Sequence, residues 1–242
     1  HIVVSPFENS ESQISVLPIT NRQEIYGMLK NEPGVTHVQK VAIKGALLKS
    51  EIDFDGIVFK GVSDDYKWEN LKSFLVEGDF PEFTDLPSEQ VLISQVIANR
   101  LSVGVGDQIS AFFQNSISQS IPNFRRFKIT GLFSSGFSDF DNNFILGDIK
   151  HIQRINKWNS NQIGAYEVFT SDLNLLNSIE KSIYVKLPSD LDAVKISRQY
   201  ATIFQWISLF DFNILIIIII MIVVGVINMS TTLLVLVLER TR

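Results

Sequence analysis

Asp139, Asp141 and Asn143 stand at the spacing of the first three oxygen ligands of a calcium-binding loop. That loop also needs a glycine for its sharp turn and a later glutamate that grips the ion with both oxygens. Phe144 and Lys150 occupy those positions, so the stretch reads as a solvated acidic loop and no metal is expected. The histidines, His1, His37 and His151, form no HExxH motif and no i, i+4 pair, which leaves a zinc hydrolase without a ligand set. No GxSxG elbow presents a serine nucleophile. Gly104-Val105-Gly106 lacks the remaining glycines of a dinucleotide loop and the lysine of a Walker A loop, and reads as a turn before a strand. Cysteine is absent, which removes thiol catalysis, zinc thiolates and disulfides. The sequence thus assembles no catalytic residue and calls for no cofactor.

The elements around these residues are dominated by one stretch. Ile214 to Leu238 carries no charge between Asp211 and Glu239. As a helix it would be roughly 37 Å long, enough to cross a hydrocarbon core of about 30 Å. It reads as a transmembrane helix. Asn228, Ser230, Thr231 and Thr232 are polar within it, and Asn228, beside the small Gly225, is expected to face another helix rather than lipid. Residues 197–213 form an amphipathic segment in which Phe204, Ile207 and Phe210 share a face, with Trp206 at its centre; it suits a helix that lies at the membrane interface or runs on from the span. Arg240 and Arg242 follow the span while Asp211 precedes it, placing the C-terminal side in the cytoplasm and residues 1–210 outside. The formal charge is −5 with no concentrated basic surface, so nucleic acid is not an expected partner. The chain opens on HIVVSPF without a methionine and stops after ERTR, as a segment of something longer would.

Before the span, the pattern predicts an α+β domain. Ser12 to Pro18 alternates as a strand, and Thr20-Asn21-Arg22-Gln23 has the form of a capping box opening a helix through Ile25, Met28 and Leu29. Strands follow at Val35 to Leu48 and Ile52 to Val62. Residues 63–163 change character, with short strands at Val91 to Ser94, Gln108 to Phe113, Phe127 to Phe133 and Phe144 to Leu146. Short helices are expected through Val96 to Leu101 and over Ile149 to Ile155, and loops at Gln114 to Phe124 and in SSGFSDFDNN. Then a strand over Tyr166 to Phe169 and a helix capped by Asp172, with the stripe Leu173, Leu176, Ile179 and Ile183, repeat the opening order. The expected division is 1–62 with 164–196 as a sheet-and-helix part, 63–163 as an inserted, mainly β part, 197–213 as the amphipathic helix and 214–238 as the span.

The stretches HIVVSPFEN, EGDFPEF, VLISQVIANRLSVGVGDQISAFF, RRFKITGLFSSGFSDFDNNFILGDI and the final IFQWISLFDFN…LERTR resemble ABC transporter permeases of the MacB/FtsX type. Within that type the chain is similar to the lipoprotein-releasing permeases LolC and LolE. The resemblance implies a MacB-type periplasmic domain followed by the second of four transmembrane helices, in the bacterial inner membrane. It further implies a non-catalytic subunit driven by a separate cytoplasmic ATPase, paired with a second copy or a paralogue, that hands lipoprotein cargo to a periplasmic carrier.

In that family a protruding loop with a nearby basic patch recruits the carrier. Carried over, this marks Pro122 and Arg125, and more loosely Arg126, as carrier contacts, with Phe124 beside them standing where LolC is polar. The loop residues SISQS do not match closely. Phe204, Trp206, Ile207 and Phe210 would form the lateral entrance for the lipid anchor. A MacB-like exporter of peptides or drugs and an FtsX-like regulator of cell-wall hydrolases are alternatives within the type. A single-pass receptor with a binding ectodomain is the alternative outside it, and further membrane spans beyond residue 242 would separate it from a permease.

Overall fold

The computed structural model describes residues 1–12, 14–113, 123–172, 175–196 and 201–240, with side chains except at 10–12, 201–213, 234–236, 238 and 239. It divides into two compact units, His1–Lys195 and Ile196–Arg242.

In the first unit, β1 (Ile2–Pro6) lies between β11 (Ala165–Thr170) and β12 (Leu191–Lys195), antiparallel to both. On its far side β11 pairs with the first part of β3 (Val35–Lys49). Ile2, Val4, Val38, Tyr166, Val168 and Ala193 are buried on one face of these strands. Two helices cover that face: α2 (Gln23–Lys30) brings Ile25 and Leu29, and α6 (Leu176–Lys186) brings Leu176, Ile179 and Ile183. Each large aliphatic side chain so buried contributes about 1.5–3 kcal/mol, which is why the 3.6-residue stripes of both helices are readable in the sequence.

Two sequence expectations fail here. Ser12–Pro18 is not a strand: the ladder strand is β1, and the chain then forms a short helix, α1 (Phe7–Ser12). The alternation around Ser15 is real but inverted, since Ile14 and Val16 are 37% and 49% exposed while Ser15 is buried. Ser15 bonds to β3 at Ile43 through both its amide and its hydroxyl, each at 2.8 Å, and so fills the gap where no strand pairs there. Asn9 fixes the segment by accepting from the amides of Val16 and Leu17 and donating to the Leu17 carbonyl. The capping box also fails. Thr20 is held in the short strand β2 (Ile19–Thr20) against β10 (Gln162–Ile163), the helix begins after Arg22 without a side-chain cap, and Asn21 accepts from the Tyr166 hydroxyl at 2.8 Å.

Past Ile43, β3 changes partners. Ala46–Lys49 pair with β7 (Gln108–Phe113), while its other edge pairs with β4 (Phe54–Val62). From β4 the sheet continues through β9 (Phe144–Asp148), β6 (Gln90–Ser94) and β8 (Asn123–Phe133), and β8 pairs with β7. The ladder therefore closes into a six-stranded barrel on one continuous ten-stranded sheet, whose remaining strand is β5 (Leu75–Gly78) at the edge of β8. Phe59, Phe113 and Phe127 fill the barrel with ring centroids 5.2–6.5 Å apart. At one end α5 (Ile149–Ile155) crosses so closely that a β-carbon on Gly61 would sit 2.8 Å from the Ile149 Cα.

The outer wall of β6 and β9 is covered by the 3-10 helix Trp68–Phe74 and by Phe80 and Phe83. Within the predicted SSGFSDFDNN loop lies a further short helix, α4 (Ser138–Asn143). There the buried Asp141 carboxylate accepts from the amides of Ser135 and Gly136 and from the Ser135 hydroxyl. Asp141 is thus a structural acceptor that ties the turn at Ser135 and Gly136 to α4.

The second unit is a helix, α7 (Ala201–Arg240), unbroken along its length. Its Ile214–Leu233 stretch has a mean hydropathy of 2.8 and is long and apolar enough to cross a membrane. The hydroxyls of Ser230, Thr231 and Thr232 each donate to the carbonyl four residues earlier, so they are satisfied within the helix.

Candidate functional site

Strands β7 and β8 form a hairpin whose last pair is Phe113 with Asn123. The loop between them, with Pro122, lies outside the described residues. Its base is well defined, because alternate residues face the two sides of the barrel wall. Ile109, Ala111, Phe113, Phe127 and Ile129 point in and are buried, and Phe112, Phe124, Arg126 and Lys128 point out. Phe124 is 45% exposed and its ring lies 5.4 Å from that of Phe112. Phe124 and Arg126 therefore share the outer face.

Arg125 does not share that face. It follows Phe127 and Ile129 toward the inner side, half-buried at the barrel mouth, and donates to the Phe124 carbonyl at 2.7 Å. There it lies close enough to His151 of α5 to matter electrostatically. Burial holds the His151 imidazole below its ordinary pKa, the Ser88 carbonyl bond and Asp148 oppose this, and the charges of Arg125 and Arg154 add to the lowering. The His151 ring meets Phe127 edge-on at 4.8 Å.

The structure adds residues that the sequence did not single out. Leu47 of β3 pairs with Phe112, which pairs with Phe124, so the three form one rung across the outer face. Leu47 is 42% exposed. One step along, Lys49 pairs with Ser110 and Ser110 with Arg126. Ile14 lies 3.9 Å from where a β-carbon on Gly45 would stand, at the loop side of the rung. The contact between β3 and β7 joins residues far apart in sequence, and only the alternation of Leu47 against buried Leu48 hinted at it.

The other sequence-singled residues fall in α7. Phe204, Trp206, Ile207 and Phe210 lie in its helical backbone, with their side chains outside the description. Gly225 and Asn228 are exposed on the helix, and nothing stands within 4 Å of a β-carbon at Gly225. Among the described residues no group of three His, Asp or Glu could hold a metal ion.

The family model of the MacB-like periplasmic core domain matches residues 2–202. No curated protein matches the sequence. Among solved structures, the chain is similar to the periplasmic region of MacB from Actinobacillus actinomycetemcomitans, at 14% identity and a TM-score of 0.54, over 84% of this chain and 91% of that one. It is likewise similar to the extracellular domain of the noncanonic ABC-type transporter YknZ from Gram-positive bacteria, at 15% identity and a TM-score of 0.51, over 80% of this chain and 98% of that one. At such identities the likeness is one of fold. The chain belongs to the MacB-like periplasmic core domain family, the periplasmic domain of ABC transporter permeases, and carries one candidate membrane span behind it.

Proposed function

We propose that this chain is the periplasmic domain and second membrane helix of a multi-pass inner-membrane permease subunit that releases lipoproteins to a soluble periplasmic carrier. A separate cytoplasmic ATPase supplies the energy, and the permease transmits it mechanically without catalysing a reaction itself. A second copy or a paralogue completes the helix bundle, with Gly225 and Asn228 on the packing face. Phe204, Trp206, Ile207 and Phe210 line the way in for the lipid anchor. The observation that carries the reading is the base of the β7–β8 hairpin, where Phe124 and Arg126 stand exposed beside the loop. An exposed aromatic and a cation at the base of a hairpin loop suit contact with a protein partner.

The test is a photo-crosslinker at Phe124 or Arg125 in the full-length protein in cells, with adducts identified by mass. A lipoprotein carrier in the adduct from Phe124 is the expected result. An efflux adaptor or a cell-wall hydrolase there would replace lipoprotein release by the second reading, MacB-like export or FtsX-like control, which the family match supports equally. For the anchor path, Trp206→Asp is expected to abolish lipoprotein release at normal expression; unchanged release would remove Trp206 from it.

A further inference from the structure

We propose that the free edge of β12, with the groove at its start, is a strand-addition site for an extended basic segment of a periplasmic protein. The site is separate from the β7–β8 hairpin and does not depend on which cargo the permease carries. β12 ends the order of the ten-stranded sheet, and among the described residues no strand pairs with its outer side. Its pairing with β1 runs without a bulge from Leu191 opposite Pro6 to Lys195 opposite Ile2. Its amides identify the side that faces out. The Leu191 amide donates to the Pro188 carbonyl, the Ala193 amide to the Asp192 carboxylate at 2.8 Å, and the Lys195 amide to the Glu180 carboxylate of α6 at 3.3 Å. These three therefore turn away from β1, and in a strand each residue's carbonyl turns with its amide.

An open row of amides and carbonyls templates pairing with another chain, and proteins blunt such edges with proline, bulges or very short strands. The other end of the sheet follows that rule, since β5 has four residues and its register slips between Leu75 and Glu77. β12 is regular throughout. Its Ala193 and Lys195 amides are held by side-chain carboxylates, which can swing aside for an incoming carbonyl. At the start of β12 a groove of about 420 Å³ opens between Pro6, Phe7, Leu17, Pro18, Pro188 and Leu191, with Phe7 44% and Leu17 42% exposed. Strand addition joins main-chain bonds along an edge to a pocket that takes a side chain, and β12 offers both.

Charge selects the occupant. Glu8 and Asp190 line the groove together with Arg22, and Asp192 stands on the edge. Among the described residues none of these three acids has a cation within ion-pair distance. A strand that takes the two edge amides also releases Asp192 and Glu180 from them, so cations on that strand meet acids freed for pairing. An acidic strand would instead meet like charge. A second copy brings no such cation. Pairing β12 with itself about Ala193 would set Leu191 opposite Lys195 and Asp192 opposite Val194, and Lys195 is already held by Glu180 and Asn177.

For the test, the full-length permease with its ATPase is held in nanodiscs of phosphatidylcholine, which carries no net charge. The probe is a fluorescent peptide alternating valine and lysine with leucine at both ends, read by anisotropy. Saturable binding is expected. A peptide N-methylated at every amide keeps its charge but cannot pair, and should bind at least about tenfold more weakly. Exchanging its lysines for glutamates should cost a similar factor, and Asp192→Lys should reverse the preference between the two peptides. Ala193→Pro removes an edge amide that β1 does not use; edge strands accept proline there, so binding should be lost from a folded protein. Equal binding of the methylated peptide, or binding indifferent to Ala193→Pro, would overturn strand addition at β12. Equal binding of the glutamate peptide would overturn the basic occupant. Absence of binding would overturn the site, and self-adducts from a photo-crosslinker at Val194 would give the edge to a second copy.

Discussion

A β-carbon on Gly164 would lie 2.0 Å from the Ser15 hydroxyl oxygen and 2.6 Å from its Cβ, with the Ala42 Cα at 3.0 Å. Ser15 cannot retreat, since its amide and hydroxyl are both bound to Ile43. Gly164→Ala is therefore expected to cost about 2–3 kcal/mol, read from the urea midpoint of the 1–195 unit. Adding Ser15→Gly should return part of that loss, and a purely additive double mutant would refute the contact. Lys44 is the opposite case. It is buried with a bond to the Asn156 side chain at 2.7 Å, and burial lowers its pKa. A lysine whose folded pKa lies below its unfolded value binds fewer protons when folded. Stability therefore rises with pH between the lowered folded pKa and the ordinary lysine value, and the penalty is complete below that window. Lys44→Met should stabilise the domain by about 1 kcal/mol at neutral pH and remove that alkaline rise, checked by denaturation at a series of pH values. Neither residue was legible in the sequence. What makes Gly164 tight and buries Lys44 is packing between segments more than a hundred residues apart, whereas Phe124 and Arg126 were marked in the sequence only through the family resemblance carried by IPNFRRF.

Local signals fared well at the scale of elements where one face of an element is buried. The helices α2, α5 and α6 and the strands β6 and β7 were readable because apolar spacing alone places them. The start of α3 (Gln95–Leu101) shows why the VLISQVIANRL stretch reads so clearly. Ser94 ends a strand and caps the helix by accepting from the Ile97 amide at 3.0 Å, while its hydroxyl donates to the Asp141 carbonyl. Ser94→Ala removes both bonds from a fully buried site, and a loss of about 2 kcal/mol is expected in thermal or urea unfolding. A change below half that size would mean that the cap is dispensable. The elements that were missed share a cause. β1 opens the chain with little context, β12 is short, and their pairing with each other and with β11 is long-range. The capping box was a correct local pattern overruled by a tertiary one, because pairing with Gln162 holds Thr20 in a strand.

In the molecule as a whole, β3 and β4 decide how the first unit behaves. The sequence divides it at about residues 63 and 163, where composition changes. The sheet has no matching break: β3 pairs with β11 through Val41 and with β7 from Ala46, while β4 pairs with it continuously from Val41 to Lys49. Side chains from one face of β3, Val38, Ala42 and Leu48, enter a single core that holds both the α2 and α6 contacts and the barrel interior. Melting the barrel would strip β3 of β4 and β7 and expose that shared core, and melting the helix-backed strands would release Ser15 and β11 from the same strand. The two parts are therefore expected to unfold together. A fragment of residues 1–195, which omits the apolar span, should be soluble without detergent and show one calorimetric transition whose enthalpy equals the van't Hoff value. Phe113→Ala in the barrel and Ile179→Ala in α6 should each lower that one midpoint, by amounts corresponding to about 3–4 kcal/mol. Two separated transitions, each moved by only one of the substitutions, would mean that the inserted part folds on its own and that β3 joins the parts without coupling them.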